Sequence, residues 1–271
     1  MTDTVALSDL KARHRAMWAA GDYPAVAEVV RPLGEDLVAA CGVSAGQRVL
    51  DVGAGTGNAA IAAALAGADV VASDLTPELL DVGRRVAAGR GADLAWEQAD
   101  AEALPYGDAS FDVVLSSIGA MFAPHHQDCA DELVRVTRPG GTIGLASWTP
   151  RGFIGQMFAT MRPYAPAPPP GAQPPPLWGD EEHVRALLGD RVRDVRTQVR
   201  TLPVMGFADG ESFRAYFASR YGPTIVVRRS LADDPERLAA LDAALRDLAD
   251  RSLDADGAMA WEYLLLVATR A

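Results

Sequence analysis

The chain has 271 residues, 49% of them hydrophobic and 23% charged, which is the composition of one large globular domain rather than a disordered chain. Its 36 acidic against 25 basic residues give a formal net charge of −11, the wrong footprint for nucleic acid as the main partner. No apolar run approaches the roughly 20 residues of a membrane span, MTDTVALSDLK lacks the layout of a secretory leader, and Cys41 and Cys129 alone exclude a disulfide framework, so the cytoplasm is the expected compartment.

Residues 8–40 read as helix, broken at Gly21-Asp22-Tyr23-Pro24. Leu10, His14, Met17 and Trp18 recur at helical spacing before the break, and Val26, Val30, Leu33 and Leu37 after it. Gln47 to Val52 is a short apolar strand that stops at a glycine loop. Asn58 to Ala66 is the next helix, and Ala68 to Asp74 a valine-rich strand. Thr76 as cap and Pro77 as first helical residue open a helix that closes near Gly91. Strands are expected at Leu94 to Gln98 and at Phe111 to Ser116, the latter buried on both faces. His125 to Arg138 is a helix stopped by Pro139-Gly140-Gly141, and Thr142 to Trp148 is a fifth strand. Five strands alternating with helices or loops predict an α/β fold with a parallel, doubly wound sheet.

After Pro150 the texture changes. A helix near Phe153 to Met161 leads into a segment with eight prolines between Pro163 and Pro176, either a stiff connector or a rim over a site. Asp180 to Leu188 is helical, Val195 to Val204 a strand, Ser212 to Tyr221 and Asp234 to Arg251 helices, and Met259 to Thr269 a closing strand. Tyr221-Gly222-Pro223 reads as a turn.

The strongest chemical signal is VLDVGAGTGN, residues 49–58. Gly53, Gly55 and Gly57 between a strand and a helix allow a tight turn and the close approach of a ligand. Asn58 stands where a dinucleotide fingerprint has its third Gly or Ala, which disfavours a diphosphate site. Asp51, just before the loop, would repel a diphosphate but attract an ammonium group. Asp74 ends the second strand, where an acid accepts both hydroxyls of a ribose, and Asp100 can accept an exocyclic adenine amine. Asp74 has a plainer reading as a turn or cap residue, and Asp100 as an Asx turn.

These residues, with VVASDLTPELL, EQADAEALPY, FDVVLSSIGAMFAPHH and ELVRVTRPGGTIGLASW, carry a resemblance over about residues 45–150. The chain resembles the class I S-adenosylmethionine-dependent methyltransferases, in the branch similar to the ubiquinone and menaquinone biosynthesis enzymes. The resemblance implies a Rossmann-like, mostly parallel seven-stranded sheet whose last strand is antiparallel. It implies S-adenosyl-L-methionine as cofactor, with Asp51, Gly53, Ala54, Gly55 and Gly57 around the methionine moiety. Asp74 and Leu75 then meet the ribose, Asp100 and Ala101 the adenine, and Ser117 the sulfonium. MWAAGDY resembles the lid helices of related enzymes, which would close Trp18 and Tyr23 over the cofactor. The expected division is an N-terminal helical lid at 1–44, the cofactor-binding core at 45–150, and the rest of the same domain with acceptor-side cap helices at 151–271.

Methyl transfer needs a general base only where the acceptor must lose a proton. His125 and His126 follow the fourth strand on the crevice side and are the candidates, the alternative being an ordinary helix start. His14 and His183 look peripheral. Met121, Phe122, Trp148, Phe153, Trp178, Tyr216 and Phe217 are the candidate acceptor walls, and as a group they favour an apolar, ring-containing small molecule. No acid cluster suits a catalytic metal. The expected partner is that small acceptor, with neither membrane nor nucleic acid and with a homodimer possible. Two other readings stay open: a non-catalytic S-adenosylmethionine-binding protein, and a nicotinamide-dependent oxidoreductase. Asn58 counts against the second, as does the position of the only lysine, Lys11, outside the sheet region.

Overall fold

The computed structural model describes the backbone of residues 2–271 and the side chains of residues 9–271. In chain order the elements are α1 (Thr2–Trp18), α2 (Tyr23–Cys41), β1 (Arg48–Val52), α3 (Asn58–Leu65), β2 (Asp69–Asp74), α4 (Pro77–Arg90), β3 (Ala95–Gln98) and β4 (Phe111–Ser117). Then follow α5 (His126–Val136), β5 (Thr137–Trp148), α6 (Phe153–Met161), α7 (Glu181–Leu188), β6 (Val192–Val204), α8 (Gly210–Arg220), α9 (Gly222–Ser230), α10 (Pro235–Ser252) and β7 (Met259–Arg270).

The seven strands form one sheet in the order β3-β2-β1-β4-β5-β7-β6. Strands β1 to β5 pair in parallel, and β7 runs antiparallel between β5 and β6. The strand order reverses between β1 and β4, which opens a crevice at their carboxyl ends. Right-handed crossovers that run outward in opposite directions put α3 and α5 on opposite faces. The central strands are apolar on both sides for that reason: Val49, Leu50, Val113, Val114 and Leu115 are fully buried. No helix among the described residues is long and apolar enough to cross a membrane.

Local chemistry explains most boundaries. Pro24 sits in the first turn of α2, and Gly42 ends that helix in the left-handed conformation, its N–H bonded to Ala39 and Val38 carbonyls. Thr76 takes the N-cap position of α4, but its hydroxyl makes no capping bond and is buried without a partner. At the β6 edge, Arg193, Arg196, Arg200, Pro203 and a register shift between Arg193 and Arg196 discourage pairing with another sheet.

Two segments differ from the sequence expectation, and the proline segment is held more closely than a connector need be. The fifth helix ends at Val136, and Pro139-Gly140-Gly141 lie inside β5, at a register shift opposite Phe111 to Val113. Thr137 both starts the ladder, opposite Phe111, and donates its hydroxyl to the Leu133 carbonyl at 2.7 Å, so helix and strand meet without a loop. Tyr221-Gly222-Pro223 is not a free turn. Pro223 sits in the first turn of α9, and a side chain at Gly222 would strike the Met17 carbonyl, so this glycine lets α9 touch the end of α1. The proline segment is anchored rather than free: Pro176, Trp178 and Gly179 are buried, and Gln173 donates its N–H to the Pro124 carbonyl at 2.9 Å.

Candidate active site

The glycine loop closes the carboxyl end of β1. Gly53, Gly55 and Gly57 all have positive φ, at +67°, +57° and +87°. Their free space serves three different neighbours. A Cβ on Gly53 would lie 2.7 Å from the Gly119 backbone, so two loops touch backbone to backbone at the strand-order reversal. The space beside Gly57 is filled by the Trp96 indole, which makes Gly57 a packing residue. Gly55 faces Tyr23, at 3.5 Å from such a Cβ. Asn58, at the fingerprint's third position, donates its amide to the Ala27 carbonyl at 2.8 Å and ties α3 to α2.

Beside the loop lies an open cleft. Gly53, Gly55, Asp74, Leu75, Asp100 and Ala101 form its floor, and His14, Trp18 and Tyr23 reach it from the N-terminal helices. Asp74 brackets the loop: one carboxylate oxygen accepts the Gly55 N–H and the other the Thr76 N–H, both at 2.8 Å. Burial pushes its carboxyl up against these bonds.

Asp51, one strand over, is 1% exposed. Its Oδ2 accepts the Ala60 N–H at 2.9 Å, and its Oδ1 has no partner. Burial pushes the carboxyl up to about 7, with the Ala60 bond opposing and the Asp74 charge adding. A smaller cavity joins Asp51 to Tyr23, Gly53, Ala54 and Ser117.

Lys11 was the residue that sequence reasoning gave no role. From α1 its ammonium reaches Asp100 Oδ1 at 2.8 Å and Glu102 Oε2 at 2.6 Å. Glu102 in turn accepts the His125 N–H at 2.7 Å and lies 3.1 Å from His125 Nδ1. Burial pushes the Glu102 carboxyl up, but the bonds from Lys11 and His125 outweigh it and hold the carboxyl below its usual range. The chain of charges fastens α1 across the cleft. In a Lys11→Met variant, residues 10–18 are expected to exchange backbone hydrogen about tenfold faster, the scale of about 1.5 kcal/mol lost with a charged hydrogen bond. Unchanged exchange by mass spectrometry would mean that the pairs do not hold the helix.

The two candidate bases part company. His125 precedes α5 and turns its ring to Glu102. His126, one residue on, is fully buried, with Nδ1 3.0 Å from His183 Nε2 and its ring 5.5 Å from that of Trp178. Burial, with the neighbouring His183, pushes His126 down to about 4. Neither ring lines the cleft; the histidine that does is His14, which had looked peripheral and whose pKa burial lowers.

Over residues 50–145 the chain matches the family model described as a methyltransferase domain. It is 51% identical over 258 residues to the uncharacterized protein Rv1403c of Mycobacterium tuberculosis, across 95% of this chain and 94% of that protein. It is also 43% identical over 105 residues to the demethylmenaquinone methyltransferase of Clavibacter sepedonicus, across 39% of this chain and 42% of that enzyme. The solved structure of YcgJ from Bacillus subtilis superposes with a TM-score of 0.58 at 18% identity, across 88% of this chain and 97% of that one. The chain belongs to the class I S-adenosylmethionine-dependent methyltransferases.

In this methyltransferase a small apolar cavity adjoins the cleft. Phe122, Trp148 and Phe217 of the expected acceptor walls line it, together with Ile154, Tyr221 and Trp261, which sequence reasoning did not assign. Four expected wall residues do not line it. Met121 and Trp178 are buried in the core, Phe153 stacks behind Trp261 with ring centres 5.8 Å apart, and Tyr216 lies under the Arg220 guanidinium. Trp18, Tyr23, Ile118 and Phe122 border both the cleft and the cavity. Trp18 packs edge-on against Tyr23 and Phe122, with centres at 5.3 and 4.6 Å. Ile118 has φ +60°, a strained conformation for a β-branched residue, at this shared wall.

Proposed function

We propose that the chain transfers a methyl group from S-adenosylmethionine to a small, neutral, ring-containing acceptor. The observation that carries this reading is the unpartnered, buried oxygen of Asp51 beside the glycine loop, with Asp74 one strand away at the cleft. A buried carboxylate oxygen without a donor is costly, and a cationic amine is the ligand group that satisfies it. Asp51 would hold the amino group of the methionine moiety, Asp74 the ribose hydroxyls, and Asp100 with Ala101 the adenine edge. When bound, the cofactor supplies an electrophilic methyl on a sulfonium.

The protein's own contribution is orientation and exclusion of water. Trp18, Tyr23 and Phe122 close the cleft on its acceptor side. Burial raises the Tyr23 and Tyr221 hydroxyls, so both stay protonated and act as donors. No histidine or carboxylate lines the apolar cavity. Its walls therefore orient and desolvate the acceptor without removing a proton from it, which favours an acceptor that arrives both neutral and nucleophilic, such as a free amine.

The test is calorimetric titration with S-adenosylmethionine, S-adenosylhomocysteine and NAD. The first two are expected to bind and NAD not. An Asp74→Ala variant should bind the cofactor about 10- to 100-fold more weakly, the scale of about 1.5–3 kcal/mol for bonds to a charged group. Unchanged affinity in this variant would remove Asp74 from the ribose, and binding of NAD alone would overturn the proposal.

A further inference from the structure

We propose that Trp261 on β7 recognises an oxygen atom of the acceptor, so that the apolar cavity selects oxygen-bearing rings over hydrocarbon rings. This rests on reading that cavity as the acceptor site. Trp261 is 1% exposed and lines the cavity, yet its indole N–H has no hydrogen-bond partner. A buried donor left unpaired is costly, and a ligand oxygen recovers that cost.

The indole is held firmly enough to act as a fixed donor. Phe153 stacks on it at 5.8 Å with the planes 11° apart, and Trp148 and Phe217 pack against it at 5.8 and 5.9 Å. On β7 it stands opposite Leu202 of β6, so the sheet fixes its backbone as well. Trp178 carries a similar orphan N–H but packs against the His126 ring instead. The remaining polar side-chain groups of the lining residues, the indole N–H of Trp18 and of Trp148 and the raised hydroxyls of Tyr23 and Tyr221, are also proton donors. Every lining residue is uncharged. The cavity therefore offers donors in an apolar shell, complementary to a neutral ring that carries carbonyl or ether-like oxygen. A site built to bond an oxygen rejects the analogue that lacks it, because its donor is then left unmet.

A matched pair of probes tests this: 1-indanone and indane differ by one carbonyl oxygen. Each is titrated into the full chain saturated with S-adenosylhomocysteine and followed by nuclear magnetic resonance. The wild type is expected to bind 1-indanone about tenfold more tightly, and Trp261→Phe to bind the two alike. In the wild type, the Trp261 indole N–H signal should move downfield with 1-indanone and stay in place with indane, a readout that needs no variant to fold. An equal affinity for the two probes in the wild type, or a preference that survives in Trp261→Phe, would overturn the assignment while leaving the proposed reaction intact. Failure of S-adenosylhomocysteine itself to bind would overturn the proposed reaction, and this assignment with it.

Discussion

At pH 8 the cofactor-free Asp51→Asn chain is expected to be about 4 kcal/mol more stable than the wild type, with the gap closing as the pH falls toward 4. The Asp51 carboxyl ordinarily titrates at 3.8, and burial raises it to about 7 in the folded chain. Between those values the folded chain holds a proton that the unfolded chain has released. Stability therefore falls as the pH rises from about 4 to about 7, by about 1.4 kcal/mol per unit. Asparagine carries no charge at any of these pH values, and its side-chain oxygen can still accept the Ala60 N–H. Urea unfolding at pH 4.5, 6 and 8 reads the gap directly. A gap that does not change with pH would mean that Asp51 is ionised throughout in the folded chain.

The same carboxyl reverses its effect once an ammonium group arrives. Binding of S-adenosylmethionine then requires the ionised form and releases a proton near neutrality. Its affinity is expected to fall about tenfold per pH unit below 7, and in Asp51→Asn to be weak and independent of pH. Calorimetry in two buffers of different ionisation enthalpy measures the released proton. A stabilised chain that has lost its cofactor is the outcome expected where a functional group is held at a cost to the fold.

The second large effect belongs to His126. Its pKa falls from an ordinary 6.5 to about 4 because the folded chain buries the ring beside His183. The unfolded chain takes up a proton first as the pH drops. Stability is therefore lost between about 6.5 and 4, by about 3 kcal/mol in total. In the wild type this loss is largely hidden, since Asp51 contributes a slope of opposite sign over the same range. The comparison to make is Asp51→Asn against Asp51→Asn/His126→Leu. The first should lose stability steeply between pH 6.5 and 4, and the second should lose about 3 kcal/mol less. Equal slopes in the two would mean that the folded chain admits a proton, or water, at His126.

The sheet was legible because its signals are local. Near-continuous apolar runs such as Val49 to Val52 and Phe111 to Leu115 mark buried parallel strands, and glycines in a run of three mark the loop between strand and helix. Asp74 stood out by its position at a strand end after that loop. Gly222-Pro223 was ambiguous, since the same pair signals a turn and a helix start; only the contact with Met17 decides between them. His125 and His126 look alike as neighbours, yet His125 is the extended cap residue and His126 the first helical one, so one ring goes to Glu102 and the other into the core. The ion pair of Lys11 with Asp100 joins residues 89 positions apart, and no periodicity reports such a contact. Trp261 sits in an apolar strand where each aromatic looks like core, and its orphan N–H becomes visible only when its neighbours are placed.

The wall formed by Trp18, Tyr23, Ile118 and Phe122 has a void on either side. A molecule that settles in one void fixes side chains that the occupant of the other must also meet. The ordering of that wall is then shared between two ligands instead of being required twice. Each should strengthen the hold on the other by the same factor, whichever arrives first. Trp18 and Tyr23 flank the break between α1 and α2, so the coupling runs through the part of the chain that Lys11 fastens down. A weak acceptor is thus retained while the cleft is filled and released once the cleft empties, with no moving part larger than one helix.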